Sequence, residues 1–316
     1  MRVFVTGANG KVGLRLVAAL VARGDTVVGL VRSEASAQKV RALGAEAVVA
    51  GLHDTDRVRT ASQGARRVYH LAGAIRGPGA ETADRINREG MVHLLDALRG
   101  HRDLEALVFT SSVAVYGDRS SLWLTEDLPT RAATLYGESK VAAEDLLIAS
   151  ALPYRIVRLA AVYGRGFPFL QADRIAAGKG WLPGEGRNFV PTIHIDDAVA
   201  GLLRIADDGV DRTIYNLADP NPVSLKELYA EVHRCVGGQP MRFWSTWIPS
   251  WIQSRAADAN ERVLSKLGKR PLFTNDNIRL YTASSRVKVE RMESELGFEW
   301  AWPNPIEGVR AALAES

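Results

Sequence analysis

A chain of 316 residues is long enough to bury a sizeable core, as one large α/β domain or as a main domain with a smaller appendage. With 47% apolar and 24% charged residues it falls outside the disordered, collagen-like and membrane classes, and no run reaches the ~18 apolar residues of a membrane span. The net charge of +4 carries no basic block of the kind that marks a nucleic-acid surface, so the basic excess is expected to act locally, on an anionic cofactor. Cys235 is the sole cysteine, which rules out an internal disulfide and points to a reducing compartment; it is expected to be a small buried hydrophobe. The N-terminus opens on a strand pattern with no basic segment and apolar stretch ahead of it, and the expectation is a cytoplasmic protein.

Val3 to Thr6 read as a short apolar strand. It runs into Gly7-Ala8-Asn9-Gly10-Lys11-Val12-Gly13 and then into a helix with Leu14, Leu16, Val17, Leu20 and Val21 at helical spacing. Strand, glycine turn and helix in that order present free backbone N–H groups to a bound phosphate. Gly7 and Gly10 permit the tight turn and the approach of a pyrophosphate, and Gly13 lets the helix lie close on the sheet. The second strand, Thr26 to Val31, ends in Arg32-Ser33. An acidic residue at that place would hold a ribose 2'-hydroxyl, whereas an arginine accommodates a 2'-phosphate, so NADP(H) is favoured over NAD(H).

A third strand is expected near Glu46 to Ala50, followed by His53 on the surface and Asp54 as a helix cap. Val68 to Ala74 read as an apolar strand ending in small residues. Residues 82–98 read as a long helix, with Ile86, Met91, Leu94, Leu95 and Leu98 in register. Leu104 to Phe109 supply the central strand, which ends in Thr110-Ser111-Ser112-Val113-Ala114-Val115-Tyr116-Gly117; ligands of open parallel sheets collect at such carboxyl ends. Tyr136-Gly137-Glu138-Ser139-Lys140 follows on the next helix. A phenol and an ammonium four residues apart share one helix face, and the ammonium is expected to lower the phenol pKa so that it works as a general acid or base.

The glycine turn, Ser112, Tyr136 and Lys140, in this order and with these flanks, are similar to an extended short-chain dehydrogenase/reductase, of the branch that includes epimerases and dihydroflavonol-reductase-like and hydroxysteroid-dehydrogenase-like enzymes. The resemblance covers almost the whole chain and is strongest before residue 165. It implies a Rossmann-type, doubly wound parallel sheet with a smaller C-terminal substrate lobe. The dinucleotide-binding core would comprise residues 1–165 with returning segments in 188–240, and the smaller lobe residues 166–187 and 241–316.

The same resemblance implies Ser112, Tyr136 and Lys140 as the catalytic set, with Ser111 as the runner-up serine. The dinucleotide would be held by Gly7, Asn9, Gly10, Lys11, Val12 and Gly13, by Arg32 and Ser33, by Leu52, by Leu71, Ala72 and Gly73, and by Tyr136 and Lys140 themselves. Gly51 stands where relatives often have an acidic residue that reads adenine, so adenine is left to backbone contacts. His70 and Asn87 correspond to residues that support the sheet. No metal is implied. Helices 82–98 and 134–149 look like those that pair two subunits, which implies a homodimer.

In the second half, Tyr154 to Leu159 read as a buried strand. Nucleotide-sugar enzymes of this resemblance commonly read R-P-x-N-x-Y-G-P at its end; here Arg158-Leu159-Ala160-Ala161-Val162-Tyr163-Gly164-Arg165 lacks both the proline and the asparagine, which argues against such a substrate. Ser112-Val113-Ala114 likewise departs from the T-D-E of 4,6-dehydratases. Ile193-His194-Ile195-Asp196-Asp197 joins a strand to a helix, with Asp196 or Asp197 expected as cap rather than metal ligand. Ile214 to Ala218 read as a strand and Ser224 to Cys235 as a helix capped by Ser224. Phe243, Trp244, Trp247, Ile248 and Trp251 form an aromatic cluster that is either core between lobes or the wall of an apolar pocket.

The expectation is therefore an NADP(H)-dependent enzyme that moves a hydride to or from a secondary alcohol or ketone carbon of a fairly apolar small molecule. The alternatives are a nucleotide-sugar 4-epimerase with tightly bound NAD and a non-catalytic NADP sensor.

Overall fold

A computed structural model describes residues 1–74, 85–119, 122–183, 186–237, 242–244, 255–257, 259, 263 and 283–314. Seven parallel strands form the main sheet: β1 (Arg2–Thr6), β2 (Thr26–Val31), β3 (Glu46–Val49), β4 (Arg67–His70), β5 (Ala106–Ser112), β7 (Tyr154–Leu159) and β11 (Thr213–Leu217). Their order across the sheet is β3-β2-β1-β4-β5-β7-β11. The chain thus winds outward from β1 to one edge, returns to lay β4 on the other side of β1, and winds outward again. At that reversal the connections leave the sheet in opposite directions and open a crevice at the carboxyl ends of β1 and β4. Thr6 pairs with His70 there, and Thr6 Oγ1 meets His70 Nδ1 at 2.7 Å.

Both faces of the sheet are covered, which is why its strands read as apolar runs rather than alternating ones. Val3, Val5 and Val108 face the core shared with helices α1 (Lys11–Ala22), α2 (Glu34–Arg41) and α7 (Ile195–Asp208). Phe4, Leu107 and Phe109 face the opposite core, built with α3 (Thr55–Ser62), α4 (Gly90–Ala97) and α5 (Leu135–Ile148). The expected long helix over 82–98 is seen as a π-helical turn, Arg85–Glu89, leading into α4. A third core joins α6 (Ala172–Ala176), α8 (Leu225–Val236) and α10 (Pro305–Ala314) around Tyr163, Leu228, Tyr229 and Val309.

Three two-stranded parallel pairs extend the sheet's carboxyl end: β6 (Trp123–Leu124) with β13 (Arg286–Val287), β8 (Ala161–Tyr163) with β10 (Thr192–His194), and β9 (Trp181–Pro183) with β12 (Arg242–Trp244). Through the first pair the C-terminal segment, including α9 (Glu290–Leu296), returns to the edge of the site.

Local signals predicted several ends correctly. Asp54 caps α3 by accepting from Arg57 N, and Ser224 caps α8 in a capping box with Glu227. At α7 the cap is His194, whose side chain accepts from Asp196 N, and not an aspartate. Asp197 is instead buried, accepting from Ala301 N at 2.8 Å and Trp302 N at 2.9 Å, so it ties the C-terminal segment to the start of α7. Cys235 is exposed, contrary to the expectation of a buried thiol, because the buried face of α8 is carried by Leu225, Leu228, Tyr229 and Val232. Of the expected aromatic cluster, Trp247, Ile248 and Trp251 lie outside the described residues, and of Phe243 and Trp244 only the backbone strand is described.

Candidate active site

A cavity of about 890 Å³ runs along the carboxyl end of the sheet. One end is the glycine turn, with Gly7, Gly10, Lys11, Val12 and Gly13 in its wall beside Leu71 and Gly73. Gly7 has φ 69°, and a Cβ there would lie 2.6 Å from the backbone nitrogen of Ala72; a Cβ on Gly13 would lie 2.2 Å from the carbonyl oxygen of Gly7. Any side chain at either place would fill the space between β1, β4 and α1. The first turn of α1 carries no acidic residue, so its N-terminal field is left to an outside anion. Lys11 Nζ donates across the cleft to the carbonyl of Gly166.

The middle of the cavity is lined by Thr110, Ser111, Ser112, Tyr136 and Lys140. Two elements bring them together: β5, which ends at Ser112, and α5, whose N-cap Thr134 accepts from Gly137 N and so fixes the helix start just before Tyr136. The Tyr136 phenol and the Ser112 side chain share this stretch of wall, and Ser112 Oγ accepts from Ala114 N at 3.2 Å. Lys140 is buried, its Nζ donating to Thr110 O at 2.9 Å and lying 4.8 Å from the centre of the Phe109 ring. Burial pushes the Lys140 ammonium down to about 8, against the opposing pull of Glu144. Burial also raises the Tyr136 phenol, and the nearby Ser112 side chain only partly offsets this. The expected lowering of the phenol by Lys140 is therefore absent: with the ammonium aimed at a backbone carbonyl, desolvation of the phenolate dominates.

The two adjacent serines face opposite ways, as strand alternation requires. Ser111 lies on the α5 side with Leu107 and Phe109; it is buried, and its hydroxyl donates to Glu144 Oε1 at 2.5 Å. Ser112 is the one beside the phenol. Asn87 braces the neighbouring backbone: its Oδ1 accepts from Ala74 N at 2.9 Å, and its Nδ2 donates to Ala74 O at 3.0 Å and to Ser139 Oγ at 2.8 Å. His70 is buried, and burial with the Lys140 charge holds it neutral, pushed down to about 3. Both are framework residues, as expected of them.

Five residues singled out in the sequence are not in the cavity wall. Asn9 donates to Ser36 Oγ at 3.0 Å; Ser33 caps α2; Arg32 is exposed immediately after β2; Leu52 is partly buried against the core; Ala72 presents its backbone behind Gly7. Missed in the sequence were Phe167, Pro168, Phe169, Val190 and Pro191, which give the far end its apolar surface, and Gln171 and Arg174, which add polar groups to the same wall. They come from loops, a single 3-10 turn (Pro168–Leu170) and the short α6, without a periodic signature, and nothing local marks them. Thr110 Oγ1, at the centre, is buried and has no hydrogen-bond partner among the described residues.

The side-chain-free cradle at Gly7 and Gly13, the open helix N-terminus and the unpartnered Thr110 hydroxyl fit a nicotinamide dinucleotide lying along the cavity. Fold and cavity together define a dinucleotide-dependent oxidoreductase of Rossmann type. The comparison with known proteins agrees. The sequence model of the NAD dependent epimerase/dehydratase family matches residues 3–218, and the chain belongs to that family, as an enzyme of the extended short-chain dehydrogenase/reductase type.

Among its relatives, the 4-hydroxy-2-methyl-3-oxo-4-farnesyl-3,4-dihydroquinoline-1-oxide ketoreductase of Stigmatella aurantiaca is 33% identical over 238 residues, covering 72% of this chain and 70% of that protein. The 3-diazoavenalumate denitrifying reductase of a Streptomyces species is 29% identical over 300 residues, 86% of this chain and 96% of that one. In fold, the UDP-glucose 4-epimerase of Thermotoga maritima, solved with UDP-glucose, superposes with a TM-score of 0.79 over 99% of this chain and 98% of that one, at 17% identity.

Proposed function

We propose that this enzyme uses NADP(H) to move a hydride to or from a secondary alcohol or ketone carbon of a fairly apolar small molecule. The observation that carries the reading is the placement of Ser112, Tyr136 and Lys140 in the wall of one cavity that also holds the glycine turn. The bound dinucleotide supplies the hydride. In the reductive direction Tyr136 donates its proton to the substrate oxygen, Ser112 polarises that oxygen and shares the developing charge, and Lys140 holds the nicotinamide ribose. Lys140, one helical turn from Tyr136, would hold that ribose, and its charge on the same helix face would favour the phenolate.

The apolar far end, with Phe167, Pro168, Phe169 and Val190, supports a substrate with an apolar body, and the ketoreductase relative supports a carbonyl as the reacting group. Arg32, exposed at the end of β2 beside the capped start of α2, supports NADP(H) over NAD(H). Of the residues outside the cavity wall, Asn9, Ser33, Leu52 and Ala72 belong to the cofactor's backbone-lined margin on this reading.

On this reading residues 1–165 with 188–240 form the dinucleotide unit and 166–187 with 241–316 the substrate unit, and the protein is a cytoplasmic homodimer paired through the segments 82–98 and 134–149. Tyr136→Phe tests the chemistry. Turnover with a ketone panel is expected to fall by a factor on the order of 10² to 10⁴ while NADPH binding by calorimetry is retained. Retained turnover would end the reading. Bound NAD with no net NADPH consumption would favour the 4-epimerase alternative.

A further inference from the structure

Behind the site, on the face of β5 that α5 covers, lies a buried carboxylate with no part in the chemistry above. Glu144 and Arg158 are both almost wholly buried. Arg158 Nη2 donates to Glu144 Oε2 at 2.8 Å, and its Nε lies 3.2 Å from Oε1 and 3.3 Å from Oε2. The Ser111 hydroxyl donates to Oε1 at 2.5 Å, and Ser111 sits opposite Arg158 in the β5–β7 register. Arg158 is held from the other side as well, by the Glu126 carbonyl at 3.2 Å and over the Tyr116 ring at 4.7 Å. A buried ion pair of this kind adds little net stability compared with apolar residues of similar volume, so its presence calls for another use. Glu144 stands one helical turn after Lys140 on the same face, where side chains four apart are neighbours.

We propose that Glu144 is a positioning residue of the active site: its carboxylate, anchored by Arg158 one helical turn after Lys140, holds the buried ammonium in place and, through Ser111, fixes the strand end that carries Ser112. The inference rests on the reading that Lys140 holds the nicotinamide ribose. The groups that face Lys140 are few. Along α5 they are Tyr136 and Glu144; from β5 come the Thr110 carbonyl and the Phe109 ring; from β4 comes His70, which stays neutral at working pH; Asn87 is uncharged. Glu144 is the anion in this set. Burial drives Lys140 toward losing its proton near pH 8, and Glu144 is the charge that resists it.

The test uses the full-length protein and reads NADPH affinity by fluorescence titration across pH, alongside the pH profile of turnover. Wild type is expected to lose affinity as pH rises through the Lys140 range near 8, and Lys140→Met to abolish that alkaline limb. Glu144→Gln is expected to move the limb to lower pH by about half a unit or more. A purely structural Glu144 would lower the melting temperature and leave the limb where it was. Should Glu144→Gln not fold, the paired variant Glu144→Leu with Arg158→Met removes both charges with apolar groups of similar volume and is expected to shift the limb in the same direction.

A folded variant whose limb is unmoved, while Lys140→Met removes it, overturns this inference alone. A limb that survives Lys140→Met overturns the ribose-binding role of Lys140 and this inference with it. If neither Glu144 variant folds, the pair belongs to the fold and the inference is overturned.

Discussion

Ser112, the last residue of a central strand, shares the cavity wall with Tyr136 in the first turn of the helix that follows, and its side chain favours the phenolate there. The arrangement offers two hydroxyls to one oxygen of a bound molecule. Ser112→Ala is expected to lower kcat/KM by a factor on the order of 10², with NADPH affinity unchanged, since one hydrogen-bond donor to a developing oxyanion is worth about that much. Steady-state kinetics with any ketone that wild type reduces decides it. A loss of under threefold would mean that Tyr136 works alone.

Asp219 is another buried carboxyl, and it makes a prediction about pH. It accepts from Thr192 Oγ1 at 2.8 Å and from His194 N at 3.3 Å, and burial pushes it up to about 8 from an ordinary 3.8. Between those values the folded chain keeps a proton that the unfolded chain gives up, so this residue makes stability fall as pH rises. His70 acts in the opposite sense below its ordinary 6.5, because the folded protein refuses a proton that the unfolded chain takes. The two oppose each other up to pH 6.5, and above it Asp219 acts without that counterweight. Urea unfolding is therefore expected to show stability declining from pH 6.5 to 8, by no more than about 1.4 kcal/mol per pH unit. Asp219→Asn is expected to flatten this slope; an unchanged slope in the variant would refute the assignment.

Gly7 combines a positive φ of 69° with a backbone neighbour where a Cβ would go. Gly7→Ala is expected to cost at least about 1–2 kcal/mol from the left-handed conformation alone, and more from the clash with Ala72. NADPH binding is expected to be lost in the same variant, because β1 and β4 must part to admit the methyl group. Thermal melts and calorimetry read the two effects separately. An alanine variant with the melting temperature and affinity of wild type would show that the turn is not the tight cradle described.

The sequence by itself determined whatever depends on near neighbours along the chain. The order of strands and helices, the glycine turn after β1, the capping of α3 by Asp54 and of α8 by Ser224, and the one-turn spacing of Tyr136 and Lys140 are all set by backbone periodicity and local hydrogen bonds, which need no distant partner. The tertiary structure decided what depends on burial and on which distant group arrives. It turned the Ser111 hydroxyl onto Glu144 and left Ser112 on the opposite side of the strand. It placed His194, not an aspartate, at the start of α7 and gave Asp197 the backbone of Ala301 and Trp302.

Tertiary packing also left Cys235 in solvent, and it raised the Tyr136 phenol where spacing alone predicts a lowering. The physical reason is common to these cases. A helix or turn is fixed by contacts a few residues apart, whereas solvation and charge at a given atom are summed over everything that packs around it, and that sum exists only once the sheet has assembled.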